Sequence, residues 1–147
     1  MSSHEGKRFV VDTNVLISHL LMPSSAPGKA LQHALRTGEL LVSDTTLTEL
    51  AEVLNRPKFD KYLSNQDRKK FFEVLAPLCI RVEIIQPVHA CRDPNDDKFL
   101  EVAINGSADF ILSGDKDLLV LHPFHDIPIL SPTEYLNGLN RKAFFLL

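Results

Sequence analysis

Short apolar runs recur along the chain, and longer amphipathic stretches separate them. Arg8-Phe9-Val10-Val11 reads as a short buried strand, and Asn14 to Leu21 as the start of a helix. Pro23 to Gly28 is a loop by its breakers, and Ala30 to Arg36 a helix stopped by Gly38. Glu39 to Val42 is a second strand. Ser43 or Asp44 then caps a helix to about Asn55, with Leu47, Leu50, Ala51 and Leu54 on one face. Pro57 begins a short helix, and Asn65 or Gln66 opens another through Phe71, Phe72, Leu75 and Ala76. Ile80 to Ile85 reads as the third strand. Asn95 caps a helix from Asp96 to Ile104, which Gly106 ends. Asp109 to Ser113 is the fourth strand, Lys116 to Leu121 a short helix, Ile127 to Leu130 the fifth strand, and Thr133 to Leu139 a last helix.

Strands alternating with helices imply an α/β fold: a parallel sheet covered on both faces, with right-handed crossovers. In such sheets the carboxyl edge is where ligands bind. Asp12 ends the first apolar run, and Asp115 lies just past the fourth strand. If those strands are neighbours, both acids face one crevice. Glu49, the group Asp93, Asp96 and Asp97, and Asp117 lie at comparable places beside predicted strands and helix starts. The helix from Asp96 has a nearly continuous apolar body, so burial should fix its acidic first turn against the sheet edge.

Each acid also has an ordinary structural explanation. Asp12 could cap the helix that starts at Asn14. Glu49 suits the early turns of its helix, where acids interact well with the dipole. Asp93-Pro94-Asn95-Asp96 is turn chemistry, and Asp115 and Asp117 follow Gly114 at a turn. Their conjunction at the same side of the predicted strands is harder to ascribe to coincidence. Gathered carboxylates repel one another unless a divalent cation holds them, and they are the usual ligands of Mg²⁺ or Mn²⁺. Such an ion activates water and lets an anionic site accept a phosphodiester. Asn14 and Ser113 are placed to orient water or the acids by hydrogen bonds.

Composition narrows the reading. The 147 residues suit one domain, 44% of them apolar and 24% charged. The expected layout is a polar leader over residues 1–7, one domain over 8–139, and an apolar tail over 140–147 that docks on the body or on a second copy. A formal net charge of −3 argues against a broad basic nucleic-acid surface, so any such contact is local or carried by metal. Cys79 and Cys91 lack zinc-site spacing, as do His122 and His125 around their proline. No apolar run approaches membrane-spanning length and the start lacks the apolar core of a secretion signal, so a cytoplasmic protein with no membrane contact is expected.

The motifs resemble a known family. Val10-Val11-Asp12-Thr13-Asn14-Val15-Leu16 is similar to the opening motif of PIN domains, and Thr48-Glu49-Leu50 falls where their glutamate helix lies. The segments from Arg92 to Leu100 and from Ile111 to Leu119, with Gly114-Asp115-Lys116-Asp117, resemble a bacterial branch described as VapC-like toxins of toxin–antitoxin pairs. The resemblance covers roughly Arg8 to Leu139. It implies an α/β/α sandwich with a central, mainly parallel five-stranded sheet in the order 3-2-1-4-5, and a metal-dependent endoribonuclease using Mg²⁺ or Mn²⁺. It further implies a cognate antitoxin and a homodimer. Carried over position by position, Asp12, Glu49, Asp97 and Asp115 are the metal-binding and catalytic acids. Asp93 and Asp96 compete with Asp97, and spacing favours Asp97. Ser113 stands where Thr or Ser is usual, and Asp117 belongs to the branch's own motif.

Two rivals come from other classes. A haloacid-dehalogenase-like phosphatase normally wants a second acid two residues after its nucleophile, where this chain has Asn14. A non-catalytic module would bind RNA or protein with its acids merely structural. Single-stranded DNA is the rival substrate within the nuclease class. Candidate RNA contacts are Arg56, Lys58 and Arg92, with Lys61 and the run Arg68-Lys69-Lys70 as further cations. Tyr62 and Tyr135 are the rings expected to be exposed.

Overall fold

The structure, a computed structural model, describes residues 6–146, with side chains through Leu139. Most of the expected leader and the side chains of the expected apolar tail therefore lie outside the described residues. Five strands form one sheet in the order β3-β2-β1-β4-β5, and every pairing is parallel. They are β1 (Lys7–Val11), β2 (Gly38–Val42), β3 (Ile80–Arg81), β4 (Phe110–Leu112) and β5 (Ile129–Leu130). The helices are α1 (Thr13–Leu21), α2 (Ala26–Thr37), α3 (Asp44–Leu54), α4 (Asn65–Leu75), α5 (Asp97–Asn105), α6 (Lys116–Leu119) and α7 (Pro132–Leu146).

Strand side chains alternate between faces, and the sheet divides its core accordingly. Phe9, Val11, Leu40, Val42, Phe110 and Leu112 point into a core built with α1, α2, α3, α4 and α7. Val10, Leu41, Ile111 and Ile129 point the other way, onto α5 and α6. Both faces are thus covered, which accounts for strands that read as continuous apolar runs. Phe9 and Phe110 stack across the β1–β4 seam with ring centres 5.4 Å apart.

Several boundaries differ from the sequence expectation for identifiable reasons. Helix α2 begins at Ala26, inside the expected loop. Ser25 caps it through a bond from Gly28 N, and Pro27 sits in the first turn, where its missing N–H costs nothing. Gly38 does more than stop α2. It opens β2 beside β1, and a β-carbon there would lie 2.4 Å from the Lys7 carbonyl oxygen. Strand β3 has only two of the six expected residues. Its partner β2 ends at Val42, because Ser43 turns the chain into α3, so the ladder runs out after Val82 N donates to Val42 O. Tyr135, expected to be exposed, is 1% exposed: it packs on Phe110, and its hydroxyl lies 2.6 Å from His33 Nδ1. Tyr62 is exposed, as expected.

Arg68, a candidate RNA cation by sequence, is instead a buried brace. Its Nε donates to Leu54 O at 2.8 Å, Nη1 to Leu63 O at 2.6 Å and Nη2 to Asp60 Oδ1 at 2.7 Å. One guanidinium thereby fastens α4 to the end of α3 and to the segment between them. Asp60 is largely exposed, so its ion pair contributes little. The carbonyls would be the expensive groups to leave unpaired. Arg68→Ala should lower unfolding stability by about 2–3 kcal/mol, while Asp60→Asn should change it by less than about 1 kcal/mol. Urea unfolding of the two variants checks the ordering.

Candidate functional site

The chain reverses its direction of travel across the sheet between β1 and β4. It steps from β1 outward to β2 and β3, then returns to β4 and β5 on the other side of β1. The carboxyl ends of β1 and β4 therefore frame the switch point, where crevices form in open α/β sheets. Register Val11↔Leu112 sets Asp12 opposite Ser113, and Asp12 N donates to Leu112 O at 3.2 Å.

Asp12 is 4% exposed and does cap α1, with Oδ1 accepting from Val15 N at 2.9 Å. Capping uses one oxygen. The other accepts from the Ser113 hydroxyl, and Ser113 Oγ in turn accepts from Asp115 N at 3.0 Å. Ser113 is completely buried, so it ties the two acid-bearing strand ends together. Asp115 caps α6 by accepting from Asp117 N at 2.9 Å, which draws Asp117 alongside.

Glu49 reaches the same place from the middle of α3. The Ser43–Thr46 capping box starts that helix, while Leu47, Leu50, Val53 and Leu54 bury its inner face. Thr13 Oγ1 donates to Glu49 Oε1 at 2.6 Å, and Lys98 Nζ pairs with Oε2. Neither Thr13 nor Lys98 stood out in the sequence, where a polar neighbour of Asp12 and a lysine in an acidic stretch carry no distinguishing pattern.

Two neighbouring acids part company at the start of α5. Asp93 caps a 3₁₀ turn over Pro94–Asp96, and Asp97 is the first residue of the helix proper. Successive residues on a helix point about 100° apart, so the two carboxylates cannot share a direction. Asp96 faces the acids of the switch point. An oxygen from each of Asp96, Asp115 and Asp117 fits within a mutual separation of 4.8 Å. Asp97, expected on spacing as the ligand, turns to the preceding loop, where Oδ1 accepts from Ala90 N at 3.0 Å and Cys91 N at 2.8 Å.

Asp12, Glu49, Asp96 and Asp115 all line one open hollow of about 670 Å³. Asn14 lines it too, as do Arg56 and Lys58 from the end of α3 and the turn after it. Asp97 and Arg92 do not line it; Arg92 is exposed on the loop before α5.

The electrostatics follow from this crowding. Burial raises the Asp12 pKa above the usual carboxylate value and the charge of Asp115 adds to it, while bonds from Ser113 and Val15 work against the rise. Asp96 is pushed up to about 7, first by burial, then by a hydrogen bond and repulsion from Asp115, then by the charges of Asp93 and Asp12. In Asp97, burial also pushes upward, but the Cys91 and Ala90 amides together outweigh it and the pKa is lowered. So Asp97 has its charge satisfied by the chain itself, whereas the Asp96–Asp115 group holds more negative charge than the chain compensates. Hard, oxygen-rich and under-compensated, that group fits a divalent cation such as Mg²⁺ or Mn²⁺.

Known proteins share this fold. A protein of Methanocaldococcus jannaschii, described as uncharacterized, is 38% identical over 120 residues, covering 78% of this chain and 74% of its own length. Among solved structures, VapBC2 from Rickettsia felis, bound to a DNA fragment from its promoter, aligns over 84% of this chain and 98% of its own, with a TM-score of 0.57 at 11% identity. FitAcB from Neisseria gonorrhoeae aligns over 85% and 98%, with a TM-score of 0.55 at 19% identity. VapBC-1 from nontypeable Haemophilus influenzae aligns over 86% and 98%, with a TM-score of 0.54 at 13% identity. At those identities the likeness is one of fold. The PIN-domain family profile matches residues 8–117, which take in Asp12, Glu49, Asp96 and Asp115. This chain is a member of the PIN-domain family.

Proposed function

We propose that the protein is a metal-dependent endoribonuclease, the toxin of a toxin–antitoxin pair, with Asp12, Glu49, Asp96 and Asp115 as its metal-binding acids and Asp117 beside them. The observation that carries the proposal is the meeting of acids from β1, α3, the start of α5 and the end of β4 in one hollow. A divalent ion bound there would supply Lewis-acid activation of water and of the phosphodiester.

The chain's own residues prepare the site. Ser113 holds Asp12 and the Asp115 backbone in fixed relation, and Thr13 orients Glu49. These bonds restrict the rotation of the carboxylates, and each engaged oxygen keeps a second lone pair with which it would ligate, which lowers the cost of assembling a metal shell. Asn14 is exposed at the rim and can hydrogen-bond water or substrate. Arg56 and Lys58 line the same hollow and offer positive charge to a strand's neighbouring phosphates. In this reading Asp97 shapes the loop behind the site and is not a ligand.

The partners and place in the cell belong to the proposal as well: RNA as substrate, a cognate antitoxin, a homodimer and a cytoplasmic location. The antitoxin is supported by likeness in fold to the VapBC and FitAcB proteins. Among the described residues no helix is long and apolar enough to cross a membrane. A phosphatase of the haloacid-dehalogenase kind gains no support, since Asn14 is where its second acid would stand. A purely structural role for the acids is also disfavoured, because Asp115 crowds Asp96 and raises its pKa, a cost without structural return.

Three outcomes are expected. Cleavage of single-stranded RNA should require Mg²⁺ or Mn²⁺, cease in excess EDTA, and fall at least about 100-fold in Asp12→Asn or Asp115→Asn. RNA cleavage unaffected by EDTA would refute the metal mechanism.

Asp96 and Asp97 should separate cleanly. Asp96→Ala should weaken Mn²⁺ binding and abolish cleavage in a folded protein. Asp97→Ala should lower stability by about 1–3 kcal/mol, through the loop amides left unpaired, and retain measurable metal binding. Calorimetric Mn²⁺ titration with thermal melting of both variants decides between them.

Stability should also depend on pH in a definite direction. The Asp96 pKa is raised on folding, so the folded state holds a proton that the unfolded chain has released. That contribution is complete below about pH 4, the unfolded carboxyl value, and is lost as pH rises toward about 7. In EDTA, Tm should therefore fall between about pH 4 and pH 7. Both Asp96→Asn and saturating Mn²⁺ should shrink that fall, as melting across the pH series will show.

A further inference from the structure

The metal reading gives no task to Lys98, although its ammonium sits against the very carboxylate that the ion would need. Glu49 has both oxygens engaged, Oε1 by Thr13 and Oε2 by Lys98. The Lys98 side chain is 16% exposed and that of Glu49 26%, so the pair is sheltered but open to the hollow. Lysine carries a compact charge on a flexible stem with three donors, suited to moving between acceptors without being rebuilt.

The hollow is lined by charges of both signs. Asp12, Asp96 and Asp115 line it near the switch point, Glu49 and Glu52 from α3, and the cations Arg56 and Lys58 from just past the end of α3. A phosphodiester entering the hollow would meet those cations and the carboxylates together. Lys98 is the cation that the hollow offers closest to Glu49. A divalent ion competes with a monovalent ammonium for Glu49, and displacement would leave the Lys98 charge beside the arriving phosphate.

We propose that Lys98 is a phosphate-binding residue held in reserve: it neutralises Glu49, yields that carboxylate to the divalent ion, and turns its ammonium to a non-bridging oxygen of the substrate phosphodiester. The inference rests on the metal-nuclease reading above. No bond is made or broken in the exchange and no proton moves. It predicts opposite effects of one substitution on two ligands, which a merely structural lysine would not give.

The test compares Lys98→Met and Lys98→Arg with the unaltered full chain. Mn²⁺ binding is measured by calorimetric titration. Binding of a fluorescein-labelled single-stranded RNA of mixed sequence is measured by anisotropy with Ca²⁺ in place of Mg²⁺. Lys98→Met should bind Mn²⁺ several-fold more tightly, because a competing cation is gone, and RNA roughly tenfold more weakly, because a charge-assisted bond is lost. Lys98→Arg should recover most of the RNA affinity. Circular dichroism confirms folding, and Lys98→Gln gives the same two readouts if the methionine variant does not fold. Unchanged RNA affinity, or Mn²⁺ affinity that is unchanged or weaker, in a folded variant would overturn the role of Lys98 and leave the metal reading standing. Failure of the unaltered protein to bind Mn²⁺ would overturn the metal reading and this inference with it.

Discussion

The hydroxyl of Ser113 lies where two acid-bearing strand ends meet, and the geometry of the hollow depends on it. Parallel pairing of β1 with β4 brings Asp12 and Ser113 opposite one another, and the hydroxyl then donates to Asp12 while accepting from the Asp115 amide. The Asp12 carboxylate and the Asp115 backbone, just past two neighbouring strands, are thereby tied to one hydroxyl although the charges of the two acids push them apart. The arrangement is affordable because the stacked Phe9 and Phe110 rings and the buried rows to either side fix the register. A slip of one residue would turn every apolar side chain of β1 to the wrong face.

The same constraint accounts for the division of labour among the acids. The acids differ in how far the chain itself meets their charge, from full satisfaction by backbone amides to mutual crowding. Asp97 and Asp96 show the contrast within one turn. The first is satisfied by the Ala90 and Cys91 amides, and the second is crowded by Asp115, Asp93 and Asp12. Asp12 stands between these conditions, since it caps α1 with one oxygen and meets Ser113 with the other.

Much of the architecture was legible in the sequence because strand and helix periodicities are local. The apolar runs at Phe9 to Val11 and Phe110 to Leu112 and the breaks at Gly38 and Gly106 marked the main elements. The strand order came with the family resemblance and agrees with the sheet observed. What escaped was non-local. The shortness of β3 depends on where its neighbour ends, and the burial of Tyr135 depends on β4 and α2. Which of Asp96 and Asp97 lines the hollow turns on where a 3₁₀ turn gives way to an α-helix, a boundary that counting residues to Asp115 does not reveal. Lys98 and Thr13 act through Glu49, which is distant in sequence from both, so nothing in their own neighbourhoods announced them.

The guanidinium of Arg68 has a further consequence for the rim. It grips the carbonyls of Leu54 and Leu63, and Arg56 and Lys58 lie on the stretch of chain between those two anchor points. The two cations are therefore hung from a clasp at both ends, and their placement at the hollow is inherited from a buried side chain that does not line it. Slackening that clasp would displace both positive charges without removing any carboxylate from the hollow.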